Sequence, residues 1–138
     1  MRARFALALL GCCLLTPTVT QAGTESTDVR ARLNYMQYCS GCHVADGRGA
    51  PDKGVPSMRD GVLKRFLSTP EGKAYLVSVP GVTNTPLDVA STTRLMNWLV
   101  RSFGDVDVEP SPFQDEDIAR GRAHKLSNPE QTRAALLR

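Results

Sequence analysis

Nothing in this chain is apolar over a span that would cross a bilayer, and nothing in it is strongly charged. Its longest apolar run, Phe5 to Leu15 in MRARFALALLGCCLLTPTVTQA, falls short of the roughly 20 residues a membrane helix requires. Lysine and arginine number 17 against 14 acids. With no clustered basic face, there is no reason to invoke nucleic acid or a strongly anionic membrane surface. Histidine is scarce, with only His43 and His124 present. Repeats and low-complexity tracts are absent as well, and a chain of this length is one small domain.

What the N-terminus does have is Arg2 and Arg4 ahead of the apolar run, with small or polar residues ending at Ala22. This is the layout of a secretory signal over residues 1–22. The expectation is export to the periplasm, a mature chain beginning near Gly23, and no stable membrane insertion after cleavage. An uncleaved anchor and a lipid-modified Cys12 in LLGC are the alternatives. Arg2 and Arg4 take two of the 17 basic residues with them, so the remaining 116 residues carry 15 basic and 14 acidic side chains, a net charge near +1. Cys12 and Cys13 also leave, and the exported domain keeps only Cys39 and Cys42 in an oxidising compartment.

Those two thiols stand in Cys39-Ser40-Gly41-Cys42-His43. A disulfide between them would close almost no loop and constrain the unfolded chain little, so the pair is there for chemistry. A closed zinc site wants four ligands, usually from two separated pairs, and beyond this stretch the only nitrogen donor is His124. A thioredoxin-like dithiol wants its two cysteines between a strand and a helix in a βαβ unit, and the sequence after His43 is loop-rich instead. Covalent haem uses every residue. The two sulfurs lie on one turn, where they can form thioethers to the porphyrin vinyl groups, and His43 is then carried over the iron.

With these residues the chain resembles a small monohaem c-type cytochrome of class I, over roughly residues 28–103. The resemblance implies an all-α cytochrome c fold, three to four helices wrapped around one covalently attached haem, with long loops. It divides the chain into the signal (1–22), a cytochrome c domain (23–104) and a C-terminal extension of acidic loop then helix (105–138). One haem c would be linked through Cys39 and Cys42, with His43 as proximal iron ligand. In the family a proline-containing stretch about a dozen residues further on offers a carbonyl to the histidine's second nitrogen, and Pro56 in Val55-Pro56 stands there. Tyr35, four residues before Cys39, would pack against an aromatic of the last core helix, for which Trp98 is the candidate. The family's sixth ligand is a methionine just before that helix. The corresponding stretch, VPGVTNTPL at 79–87, has none. Met58, with Met96 as the alternative, is therefore the candidate sixth ligand, and an open iron position is the third possibility. A methionine–histidine pair raises the reduction potential, whereas an open iron could bind small molecules.

Local signals place the elements. Ser26, Thr27 or Asp28 can cap a helix whose apolar positions Val29, Leu33 and Met36 recur at helical spacing. Residues 44–61, rich in glycine and charge, predict a loop without a long regular element. Val62, Leu63, Phe66 and Leu67 read as a short amphipathic helix ending before Pro70, and Thr69-Pro70-Glu71 opens the next, with Ala74 to Val77 as its buried part. A further helix runs from Asp88 to Phe103 and stops at Gly104. Leu95, Trp98 and Leu99 mark one face and Met96, Val100 and Phe103 a neighbouring one, so burial on two sides is expected. Beyond it, six acids and no base lie between Asp105 and Asp117, and Arg120, Arg122 and Lys125 follow. A helix over 113–126 with acids at its start suits the helix dipole, and a docking patch for a redox partner is the sharper reading.

The function expected is an exported electron carrier rather than an enzyme, shuttling single electrons between periplasmic redox proteins, for instance a dehydrogenase and a terminal acceptor. The alternative is a haem-based sensor or small-molecule binder with an open distal position. A peroxidase-like enzyme is a third reading, for which no distal acid–base pair is evident.

Overall fold

The structure, a computed structural model, describes residues 22–105, 107–109 and 111–138. The expected signal segment lies outside the described residues except for Ala22. The described chain is all-α, as expected. Its helices are α1 (Ala22–Tyr38), α2 (Ser40–His43), α3 (Val62–Leu67), α4 (Pro70–Ser78), α5 (Pro80–Thr83), α6 (Val89–Phe103), α7 (Asp115–Ala123) and α8 (Pro129–Leu136). Among the described residues there is no strand, only an isolated bridge between Ala50 and Val55. No helix among them is long and apolar enough to cross a membrane.

Helix starts are chemically explicit. The Thr69 hydroxyl accepts from the Gly72 amide at 3.0 Å, the Asp88 carboxylate from Ser91 N at 2.6 Å, and the Asn128 side chain from Gln131 N at 3.0 Å. Each satisfies an amide that the first helical turn leaves without a partner. Pro70, Pro80 and Pro129 occupy first-turn positions, where a missing N–H costs nothing. The 44–61 stretch is a loop interrupted only by a 3₁₀ turn at Pro51–Lys53.

Helix α1 departs from expectation twice. It is already helical at Ala22, the first described residue, and runs through Ser26, Thr27 and Asp28 rather than starting at a cap among them. Its apolar positions also face outward, with Val29, Leu33 and Met36 at 57, 63 and 43 % exposure, while Ala31 and Tyr35 are buried. The reason lies in α6. Tyr35 stands 5.5 Å from the Trp98 ring and 5.2 Å from Phe103, and these two are 5.6 Å apart edge to face. An aromatic buries about 150–250 Å², so seating Tyr35 sets the rotation of α1 against three scattered aliphatics. The Asp28–Arg101 ion pair lies on the same side.

Helix α6 is buried on both sides, as its residue pattern predicts. One side meets α1. Leu95, Met96, Leu99 and Val100 are buried and face the cavity described below.

Residues after 104 are part of this core. Phe113 and Ile118 are 1 and 0 % exposed and cluster with Tyr35, Val77, Leu95, Met96, Leu99 and Val100. Helix α7 packs on α4, α5 and α6, and α8 packs on α4. Phe113 is held by Asn97, whose side chain donates to Phe113 O at 2.9 Å and accepts from Phe113 N at 3.0 Å. The acids of α7 are partly inward: Asp117 is buried and bonded to Lys73 (2.7 Å) and Arg120 (2.8 Å).

Candidate functional site

The end of α1 leads directly into the site. Cys39 N bonds Tyr35 O at 2.9 Å, and Cys42 N and His43 N both reach Cys39 O, at 3.2 and 2.9 Å. One turn therefore carries both thiols and the imidazole. Cys39 is half-buried against the core and Cys42 is exposed. The sulfurs are not bonded to each other.

After His43 the chain reverses. Val44 has φ +63° and ψ 159°, a region adopted almost only by glycine and held only where surroundings over-determine it. The Tyr35 hydroxyl donates to the Val44 carbonyl, and Gly47 N bonds the same oxygen at 3.2 Å. The loop then folds back behind the imidazole: Gly49 N reaches His43 O at 2.9 Å, Ala50 and Val55 pair, and the Pro56 carbonyl stands 3.2 Å from His43 Nδ1. Gly49 makes this return possible. Its φ is +67°, and a Cβ there would sit 2.5 Å from the Pro56 oxygen.

Electrostatics complement that geometry. Burial lowers the His43 pKa, against which the bond to Pro56 pulls upward, so the surroundings favour the uncharged ring. A neutral ring donating Nδ1–H to the carbonyl keeps a lone pair on Nε2, the state in which imidazole binds a metal. Burial, and then the neighbouring Cys42, push the Cys39 thiol up to about 11. A reactive dithiol has a depressed thiol pKa, and Cys39 is displaced the other way. Burial likewise pushes the Tyr35 phenol up to about 12, consistent with its role as a donor.

Beside this turn lies a cavity of about 540 Å³, within the range of small-molecule and cofactor sites. Its lining is mostly apolar and comes from α3 (Leu63, Phe66), α4 (Tyr75, Leu76), residues 79–85 and α6. Cys39, Cys42, His43, Pro56, Met58 and Met96 all border it, so the structure gathers every site residue named from the sequence. Met58 belongs to the returning loop, with its amide on Gly47 O at 2.8 Å, whereas Met96 is a buried residue of α6. His124 is elsewhere, exposed at the end of α7 and facing Arg120 O. Among the described residues no three His, Cys, Asp or Glu side chains gather in a metal cluster.

Sequence reasoning missed three contributors. Thr85 lines the cavity with its Oγ1 buried and without a hydrogen-bond partner. Tyr75 lines it from α4, and α8, which no sequence motif tied to the site, contributes Pro129, Glu130 and Arg133. The one available signal was Asn128-Pro129-Glu130, a helix start by cap, first-turn proline and acid.

No protein-family model, curated protein or solved structure matches this chain. The residues must therefore speak for the ligand. A haem c fits them: two thiols and an imidazole share one turn at the edge of a large apolar cavity, and a buried hydroxyl, Thr85 Oγ1, lacks a partner on its wall.

Proposed function

We propose that this chain is an exported, periplasmic electron carrier with one haem c, belonging to the class I cytochromes c it resembles. The observation that carries the reading is the convergence of Cys39, Cys42 and His43 on the 540 Å³ apolar cavity, with the His43 ring oriented by the Pro56 carbonyl. When bound, the haem iron would supply reversible one-electron chemistry.

The chain's own residues do the rest. Cys39 and Cys42 hold the porphyrin edge covalently, and His43 ligates the metal through Nε2 while Pro56 fixes its tautomer. The Leu63, Phe66, Leu95 and Leu99 side chains keep water from the cavity, and this low-dielectric surrounding favours the oxidation state of lower net charge. Met58, or alternatively Met96, is the proposed sixth ligand. The partners are periplasmic redox proteins, with no role for nucleic acid.

A second reading, a haem-based binder of small molecules, is favoured by one observation: residues 79–85 line the cavity without a methionine, and Thr85 places an unpartnered hydroxyl there. Expression in a host that attaches haem c tests both. The carrier requires a mass increased by one haem and a ferrous spectrum indifferent to carbon monoxide. Rapid carbon monoxide binding without loss of fold selects the binder, and a colourless protein of bare polypeptide mass removes both. Spectra of Met58→Ala and Met96→Ala locate the sixth ligand, and unchanged spectra in both exclude the two methionines.

A further inference from the structure

Residues 79–87 supply one wall of the cavity, through Val79, Pro80, Gly81, Val82 and Thr85. The segment contains no methionine, histidine or cysteine, so a haem in the cavity would not tether it through the metal. Within itself it is a single short turn, with the Val82, Thr83 and Asn84 amides bonded to Val79 O, Val79 O and Pro80 O at 2.9, 3.0 and 3.0 Å. Its hold on the rest of the molecule comes from α7.

Helix α7 lies so close to α4 that a Cβ on Gly121 would stand 2.2 Å from the Val77 carbonyl oxygen. From the next position Arg122 reaches across. Its Nη2 donates to Leu87 O at 2.7 Å and to Thr92 Oγ1 at 3.0 Å, joining the end of the wall to the start of α6. Lys125 Nζ donates to Asn84 Oδ1 at 3.3 Å, and the Thr93 hydroxyl donates to Asp115 Oδ1 at 2.6 Å, which secures the first turn of α7 to α6. Arg122 is half-buried, its Nε is buried without a partner, and no carboxylate among the described residues forms an ion pair with it. A cation so placed is costly, and an apolar side chain would often pack there at less cost. The charge-assisted bonds to a carbonyl and a hydroxyl are what it contributes.

We propose that Arg122 is a positioning residue for the cavity: from α7 it locks the 79–87 wall onto α6, and the locked wall limits the passage of small ligands to the bound haem. The effect on ligands rests on the haem reading above, whereas the lock itself does not. Among the described lining residues none belongs to α7, so the helix acts on the site only through the wall it holds.

The test compares the haem-loaded protein with its Arg122→Met, Arg122→Lys and Asp117→Asn variants by amide hydrogen exchange and by carbon monoxide association with the ferrous form. Arg122→Met keeps the bulk and removes the donors; exchange at Val82, Thr83 and Asn84 is expected to quicken about tenfold relative to α1 amides. Carbon monoxide association should rise by a similar factor, or appear where wild type shows none. Arg122→Lys recovers part of both, because an ammonium can donate but lacks the planar fork. Asp117→Asn weakens α7 at Lys73 without touching Leu87 or Thr92 and should leave the three amides near wild-type rates. Unchanged exchange in Arg122→Met, or equal acceleration in Asp117→Asn, overturns the lock. Faster exchange with unchanged carbon monoxide behaviour overturns the control of ligand passage. Should Arg122→Met fail to fold, Thr92→Val removes one of the two acceptors, and unchanged exchange there overturns the lock. A haem-free wild type removes the haem reading, and the exchange measurement on that protein still decides the lock.

Discussion

Replacing Gly121 by alanine sets two effects against each other, and the structure decides which wins. In an exposed helix interior the change stabilises by about 0.5–1 kcal/mol, through the freedom glycine loses on folding. Gly121 is buried where α7 crosses α4. A Cβ there would lie 2.2 Å from the Val77 carbonyl oxygen, 2.7 Å from its carbon and 3.0 Å from its Cγ2. Two of these are main-chain atoms and cannot rotate aside, so α7 must withdraw by about 1 Å to reach normal contact. Withdrawal loosens Ile118, which is fully buried, and strains the 2.7 Å Lys73–Asp117 bond. Forced overpacking costs about 1–3 kcal/mol, and a rigid backbone obstacle argues for the upper half. Subtracting the helix gain leaves a net loss of about 1–2 kcal/mol. Urea unfolding followed by far-ultraviolet circular dichroism measures it, with Gly81→Ala as control because nothing lies within 4 Å of a Cβ at that position. A Gly121→Ala midpoint at or above wild type would mean that α7 does not rest on α4 at this separation.

Asn97→Ala leaves the Phe113 amide and carbonyl without their 3.0 and 2.9 Å partners; the expected loss is about 2–3 kcal/mol, and an unchanged urea midpoint contradicts the clamp. For Asp117, burial alone would raise the pKa, but the bonds from Lys73 and the Gln114 amide outweigh it and the net shift is downward from 3.8. A depressed carboxylate pKa stabilises above the unfolded value and loses that contribution as pH falls through the folded one, so stability should decline below about pH 4 in wild type and more shallowly in Asp117→Asn; identical acid profiles refute this. Val44→Gly relieves a conformation costing about 1–3 kcal/mol and gives back about 1 kcal/mol of chain entropy, so it should be neutral or stabilising in thermal melts, and a clear loss speaks against the strain. Cys39→Ala and Cys42→Ala proteins should accumulate poorly, and normal yields of a stable, haem-free domain count against a cofactor that fills the core.

Much of the fold was legible because its signals are local. Thr69 and Asp88 cap helices whose first amides lie within three residues, and glycines and prolines mark 44–61 as loop. The donor set was legible for the same reason: residues 39, 42 and 43 share a turn by spacing alone. What sequence could not supply was orientation. Val29, Leu33 and Met36 have the period of a buried face, yet Tyr35 took the interior against two aromatics of α6; the family resemblance pointed to its contact with Trp98, whereas the periodicity pointed to the wrong face. Nor could it place α8 at the cavity or turn Asp117 inward, since both depend on how closely α7 and α8 approach α4. Backbone hydrogen bonds and caps act over three or four residues and can be read along the chain, whereas the choice of buried face depends on partners distant in sequence and is made only when the helices pack.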